Sequence, residues 1–181
     1  SFIIIILTGT FTGMVFALQS YIGFQRVGGE QFIGAVVALG MIRELGPVLT
    51  GLMVTGRAGS AITAEIGTMN ISEQIDALRT LRINVFQYLI IPRVVAGTMV
   101  LPFPEDYRGS IRTYVELSDI TGGLIKSAVF GLLLSLIGTF KGYYTKGGAR
   151  GVGISTTQSV VQSSIMILIS NYFITKILEK L

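Results

Sequence analysis

Apolar stretches separated by short polar turns run along this chain. Residues 1–25 carry no charge, and a bilayer core needs roughly 20 apolar residues in a helix, so this stretch predicts a first span. Gln19 is a polar member that a spanning helix tolerates. Arg26, Gly28, Gly29 and Glu30 make a polar turn. A second span is expected over residues 31–66, interrupted by Arg43, Glu44 and Arg57, with Gly46-Pro47 predicting a kink. Residues 85–103 start a third span that contains Gln87 and Arg93. Residues 120–140 predict a fourth span with Lys126 inside it, and residues 154–176 a fifth, free of charge up to Lys176. The expected fold is therefore all-α: a polytopic membrane bundle of about five transmembrane helices in one domain, without an internal repeat.

One segment has a different character. Residues 70–82 begin Asn-Ile-Ser-Glu-Gln-Ile-Asp-Ala-Leu-Arg. Asn70 predicts a helix cap, with Glu73 as the return half of a capping box. Ile71, Ile75 and Leu78 fall on one face, while Glu73, Asp76 and Arg79 fall elsewhere. Such a short amphipathic helix at a membrane edge either lies on the membrane or docks on a soluble partner. Arg79, Arg82 and Arg93 flank the turn after the second span, and Lys141, Lys146 and Arg150 the turn before the last. With five spans these two basic turns share a side, which the positive-inside rule makes cytoplasmic.

Composition supports the membrane reading. Half of the 181 residues are hydrophobic, 13% are charged, and mean hydropathy is +0.69. A soluble domain carries about twice that charge fraction. The 23 glycines beside only 4 prolines suit packed membrane helices better than loops. A formal charge of +4, scattered along the chain, does not point to nucleic acid. Without Cys or His there is no disulfide framework, no zinc site and no Ser-His-Asp or Cys-His nucleophile; no metal site and no catalytic residues are expected. No cleavable signal peptide is visible. The chain starts inside an apolar run, and an N-terminal portion is expected to precede it.

Candidate chemistry concentrates in Arg43-Glu44-Leu45-Gly46-Pro47. A charge at mid-bilayer costs at least about 2.5–3.5 kcal/mol, so such residues face a bundle interior or a wet cavity. They either line a pathway for a polar or amphipathic substrate, or sit at the interface, or pair with Lys126 as packing glue. Gly56-Arg57-Ala58-Gly59-Ser60-Ala61 is a small-residue run that lets helices approach closely, with Arg57 within reach of Glu65 or the interface. Gly147-Gly148-Ala149-Arg150-Gly151-Val152-Gly153 is no P-loop, which needs G-x-x-x-x-G-K-[ST]; it reads as a flexible turn between spans.

Together with these motifs, Ala64-Glu65-Ile66-Gly67-Thr68-Met69, Glu73-Gln74, Pro92-Arg93, Leu124-Ile125-Lys126-Ser127 and Thr156-Thr157 resemble the MlaE (YrbE-like) permease family over nearly the whole chain. The resemblance implies the membrane subunit of an ABC transporter, in the bacterial inner membrane, that moves phospholipids between inner and outer membranes and maintains outer-membrane lipid asymmetry. It implies a homodimer with a lipid cavity at the subunit interface. Phe16, Gln19, Phe24 and Val27 at the end of the first span, with Arg43, Glu44 and Lys126, would line that cavity. A cytoplasmic P-loop ATPase would engage Ile71, Glu73, Gln74, Asp76 and Leu78, a periplasmic MCE-domain ring would sit on the other side, and a small cytoplasmic STAS-type subunit fits the same assembly. The chain itself would hold no cofactor and perform no hydrolysis; ATP and Mg belong to the partner ATPase. The sequence departs from the family after Phe103, where Pro104-Glu105-Asp106 follows at once and roughly 25 residues of third span are expected to be missing between 103 and 104.

Two other readings remain at this stage. A secondary transporter or channel would use Arg43, Glu44 and Lys126 as an ion or proton relay, without an ATPase. A membrane scaffold would use the same charges only to fix helix packing.

Overall fold

The structure is a computed structural model that describes residues 2–26, 28–100 and 117–180. The expected junction at residues 103 and 104 and the charged stretch that follows it lie outside the described residues. Every regular element among the described residues is helical. Helix α1 (Phe2–Gln25) is followed by a short turn and by α2 (Ile33–Gly40), α3 (Gly46–Val54) and α4 (Ser60–Ile71). The last three join through π turns at Met41–Leu45 and Thr55–Gly59 into one continuous helix, Ile33–Ile71, of 39 residues. Next come α5 (Gln74–Thr80), a π turn at Phe86–Ile90 leading into α6 (Ile91–Val100), α7 (Leu117–Tyr143) and α8 (Gly148–Leu178). Among the described residues, four helices are long and apolar enough to cross a membrane: Ile3–Gln25, Ile33–Ile71, Ile120–Tyr143 and Gly148–Leu178. The expected third span appears as Phe86–Val100, which is too short to cross by itself. This is a multi-pass helical membrane protein.

Proline placement accounts for two of the three π turns. A proline has no N–H and its ring presses on the carbonyl four residues earlier, so an unmodified α-helix is strained there. Pro47 follows the turn Met41–Leu45 and Pro92 follows the turn Phe86–Ile90, each by two residues. The widened turn gives the preceding carbonyl room, and the helix continues where the sequence predicted a kink.

Small residues bring α4 and α7 together. A Cβ on Gly142 would stand 2.8 Å from Ile66 Cβ, and one on Gly138 would stand 3.3 Å from the Gly59 carbonyl. Gly138 and Gly142 form a G-x-x-x-G pair on α7, opposite the small-residue run at 56–61. Thr63, fully buried, adds polar contacts there: its Oγ1 lies 3.1 Å from Gly138 O and 2.8 Å from Ser159 Oγ of α8.

The amphipathic segment differs from the expectation. Helix α4 continues to Ile71, so Asn70 is not an N-cap and no capping box forms. Asn70 Nδ2 instead donates to Thr145 O at 2.9 Å, satisfying a carbonyl just beyond the end of α7. The corner is made by Glu73, at φ 60°, and the short helix is Gln74–Thr80 rather than 70–82. Ile71 therefore belongs to α4. Asn84, which the sequence reading passed over, does cap a helix: its Oδ1 accepts from the Phe86 N–H at 3.0 Å. The glycine-rich turn is also tighter than expected. Gly147 at φ 90° starts α8, and a Cβ on Gly151 would strike Lys146 O, so residues 148–153 are helix rather than a flexible loop.

Candidate functional site

Three charges from the sequence meet in one place. Arg43 lies ten residues into the long helix, about 15 Å from its start at 1.5 Å per residue. Lys126 lies in the first half of α7, only 2% exposed among apolar spans. Its ammonium has three protons and three acceptors: Glu44 Oε1 at 2.6 Å, the Arg43 carbonyl at 2.8 Å and Thr175 Oγ1 at 2.8 Å. Glu44 is in turn bonded by Asn171 Nδ2 on Oε2 at 2.9 Å and by Thr175 Oγ1 on Oε1 at 2.9 Å. The charge pair is thus embedded in a polar frame drawn from three elements, the π turn, α7 and α8, which is what a buried ion pair requires.

Beside this frame opens a cleft of about 780 Å³, lined by Leu39, Gly40, Arg43, Glu44, Thr121, Gly122, Gly123, Lys126, Thr175, Leu178 and Glu179. Glycines at 122 and 123 keep its α7 wall low; a Cβ on Gly123 would stand 3.3 Å from Ile42 O. Arg43 is exposed, the Glu44 side chain is 37% exposed and Glu179 also lines the cleft, so the cleft offers charge of both signs between spanning helices, with Leu39 and Leu178 as its apolar side chains.

The other expected cavity residues are placed differently. Phe16 packs on the helix beside the cleft: a Cβ on Gly40 would stand 2.8 Å from its ring. Gln19 is exposed on α1, and Phe24 covers Gly29 at the α1–α2 turn; neither lines this cleft. Val27 lies outside the described residues. Sequence reasoning missed Thr175 and Asn171, single polar residues in a charge-free span; their spacing of four, which puts both on one helix face, was the available signal.

At the opposite end of the bundle the short helix α5 is anchored firmly. Ile75, 1% exposed, packs with Ile66, Val85 and Leu89, and Leu78 joins them. Arg79 pairs with Asp76 at 2.8 Å and donates to the Tyr143 hydroxyl at the end of α7; that hydroxyl, ahead of Asp76, raises the Arg79 pKa. Glu73, Gln74 and Asp76 face outward. Glu65, one of the two groups open to Arg57, pairs with Arg93 at 2.7 Å. The bond from Asn70 to Thr145 and that from Arg79 to Tyr143 put both basic turns at one end of the molecule.

Such a fold, with a charged pair set between apolar helices and a firmly seated short helix at one end, is that of a polytopic helical membrane protein. Comparison with known proteins gives the family. The sequence model described as Permease MlaE matches residues 1–104 and 103–177. A "Probable ABC transporter permease protein" of Rickettsia typhi is 44% identical over 98% of this chain and 78% of its own length. The intermembrane phospholipid transport system permease protein MlaE of Haemophilus influenzae is 34% identical over 98% of this chain and 78% of its own. The chloroplastic protein Trigalactosyldiacylglycerol 1 of Arabidopsis thaliana is 41% identical over 94% of this chain and 55% of its own. The chain belongs to the MlaE permease family of ABC transporter permeases.

Proposed function

We propose that this chain is the membrane subunit of an ATP-driven phospholipid transporter, and that the cleft beside Arg43, Glu44 and Lys126 receives the lipid headgroup. The observation that carries this reading is a cleft of about 780 Å³ that sets an exposed arginine beside an ion pair of a buried lysine and a partly exposed glutamate among spanning helices. A phospholipid asks for that combination: apolar walls for its chains and a few charges at headgroup depth. The name of the Haemophilus relative supports the same substrate class. Phe16 would extend the apolar wall at Gly40, with Gln19, Phe24 and Val27 further along the path.

The transporter is proposed to act as a homodimer in the bacterial inner membrane and to maintain outer-membrane lipid asymmetry. Helix α1 supports a dimer or a lipid-facing role, since none of its apolar span is buried within the chain. ATP and Mg would be held by a separate P-loop ATPase docked on α5, chiefly through exposed Glu73, Gln74 and Asp76, while Ile75 and Leu78 hold the helix in place. An MCE-domain ring on the far side and a small STAS-type subunit complete the proposed assembly. The alignment with the Rickettsia protein runs over 201 positions against 181 residues here, so at least 20 of its positions have no residue in this chain.

Gentle purification from the native membrane, with identification of what accompanies the chain, tests the proposal. The expected result is a P-loop ATPase, an MCE-domain protein and bound phospholipid. A chain that is active without an ATPase and carries no lipid would favour the ion relay.

A further inference from the structure

We infer that Lys126 is a positioning residue: it claims the Arg43 carbonyl that Pro47 leaves without a helical donor, and so holds the π turn Met41–Leu45 that presents Arg43 to the cleft. This inference rests on the proposed reading of the cleft as a phospholipid site.

In an α-helix the Arg43 carbonyl would accept from the N–H of residue 47, and Pro47 has none. A carbonyl left without a partner inside a bilayer is strongly disfavoured, because no water is there to replace the bond. Lys126 Nζ donates to it at 2.8 Å. Its other two protons go to Glu44 and Thr175, and the side chain is 3% exposed, so no proton remains for a headgroup. Arg43 is the cation that lines the cleft with an exposed side chain. The turn matters for its direction: one residue more per turn rotates the flanking helix faces by about 100° relative to each other. The second proline-linked turn is served by a cation too: at Phe86–Ile90, Arg93 Nη1 donates to Leu89 O at 2.9 Å.

The test separates the carbonyl from the ion pair, using the assembled transporter reconstituted in vesicles with fluorophore-labelled phosphatidylethanolamine as the transferred lipid. Glu44→Gln with Lys126→Met removes both charges together and leaves the Arg43 carbonyl without its donor. This pair is expected to raise the lipid fraction needed for half-maximal transfer about tenfold, the effect of one lost charge-assisted bond. Adding Pro47→Ala restores a backbone N–H, and is expected to recover most of that loss as well as part of the lowered thermal midpoint. A paired variant that transfers lipid like the wild type, or a loss that Pro47→Ala leaves unchanged, overturns the inference. Lys126→Met alone, with and without Pro47→Ala, gives an independent second comparison with the same expected direction. A complex that assembles without Pro47→Ala and is lost with it also contradicts the inference. If the wild-type complex itself transfers no phospholipid, the proposed function fails first, and the thermal midpoints alone decide whether Lys126 and Pro47 are coupled.

Discussion

At the scale of single residues, the fold is defined by what buried polar groups are given as partners. Lys126 is tolerable among apolar helices because each of its protons is bonded, one of them to a backbone carbonyl. Lys126→Met leaves the Arg43 carbonyl without its lysine donor while Glu44, partly exposed, keeps Asn171 and Thr175, so it is expected to destabilise the protein by about 2 kcal/mol, read as a lower thermal midpoint in detergent. Glu44→Gln is expected to cost less, because that side chain is 37% exposed and its amide keeps an oxygen for Asn171 or Thr175. Arg43, Glu44 and Lys126 were legible in the sequence because a charge inside an apolar run stands out. Thr175 and Asn171 were not, since a lone hydroxyl or amide in a span is ordinary and its partner lies over 120 residues away. The link from Pro47 to Lys126 was hidden for a related reason: the proline announced a missing N–H, and only the packing of α7 shows what replaces it.

At the scale of elements, helix boundaries were the least legible part. Asn70 carries every mark of an N-cap, yet tertiary contact recruits its amide to Thr145, and α4 runs on through it. The same packing explains why the amphipathic helix is short and why Ile75 points inward. Ile75→Ala is expected to cost about 3 kcal/mol, since it empties a fully buried site between α4 and the start of the Phe86–Ile90 turn. Loss of a discrete α5 in hydrogen exchange would accompany it. The small-residue run at 56–61 predicted close packing, and Gly138 and Gly142 supply the opposing surface. Gly142→Leu is expected to separate α4 from α7, because a side chain there meets Ile66 and the Thr63 carbonyl at under 3 Å. The measurement is the yield of monodisperse protein on size exclusion; a variant with normal yield and thermal midpoint would contradict this packing.

At the scale of the whole molecule, the two ends have different tasks. One end gathers both basic turns and the anchored helix α5; the other opens the charged cleft among α2, α7 and α8. The continuous helix Ile33–Ile71 and α7 run from one to the other and touch closely at Ile66 and Gly142, so α5, packed on Ile66 and bonded to Tyr143, sits on the two elements that also wall the cleft. Glu73→Lys is expected to leave the fold intact and to reduce the amount of ATPase that co-purifies, because Glu73 is exposed and reverses charge on the outward face. Undiminished ATPase recovery would move the docking surface elsewhere.

The central claim is that the cleft beside Arg43 handles phospholipid, and the most direct measurement is ATP-dependent lipid transfer by the reconstituted complex carrying Arg43→Glu. The account predicts a complex that assembles and hydrolyses ATP while lipid transfer falls by an order of magnitude or more, since the exposed charge facing the headgroup is reversed. Transfer at the wild-type rate by a fully assembled Arg43→Glu complex would contradict it.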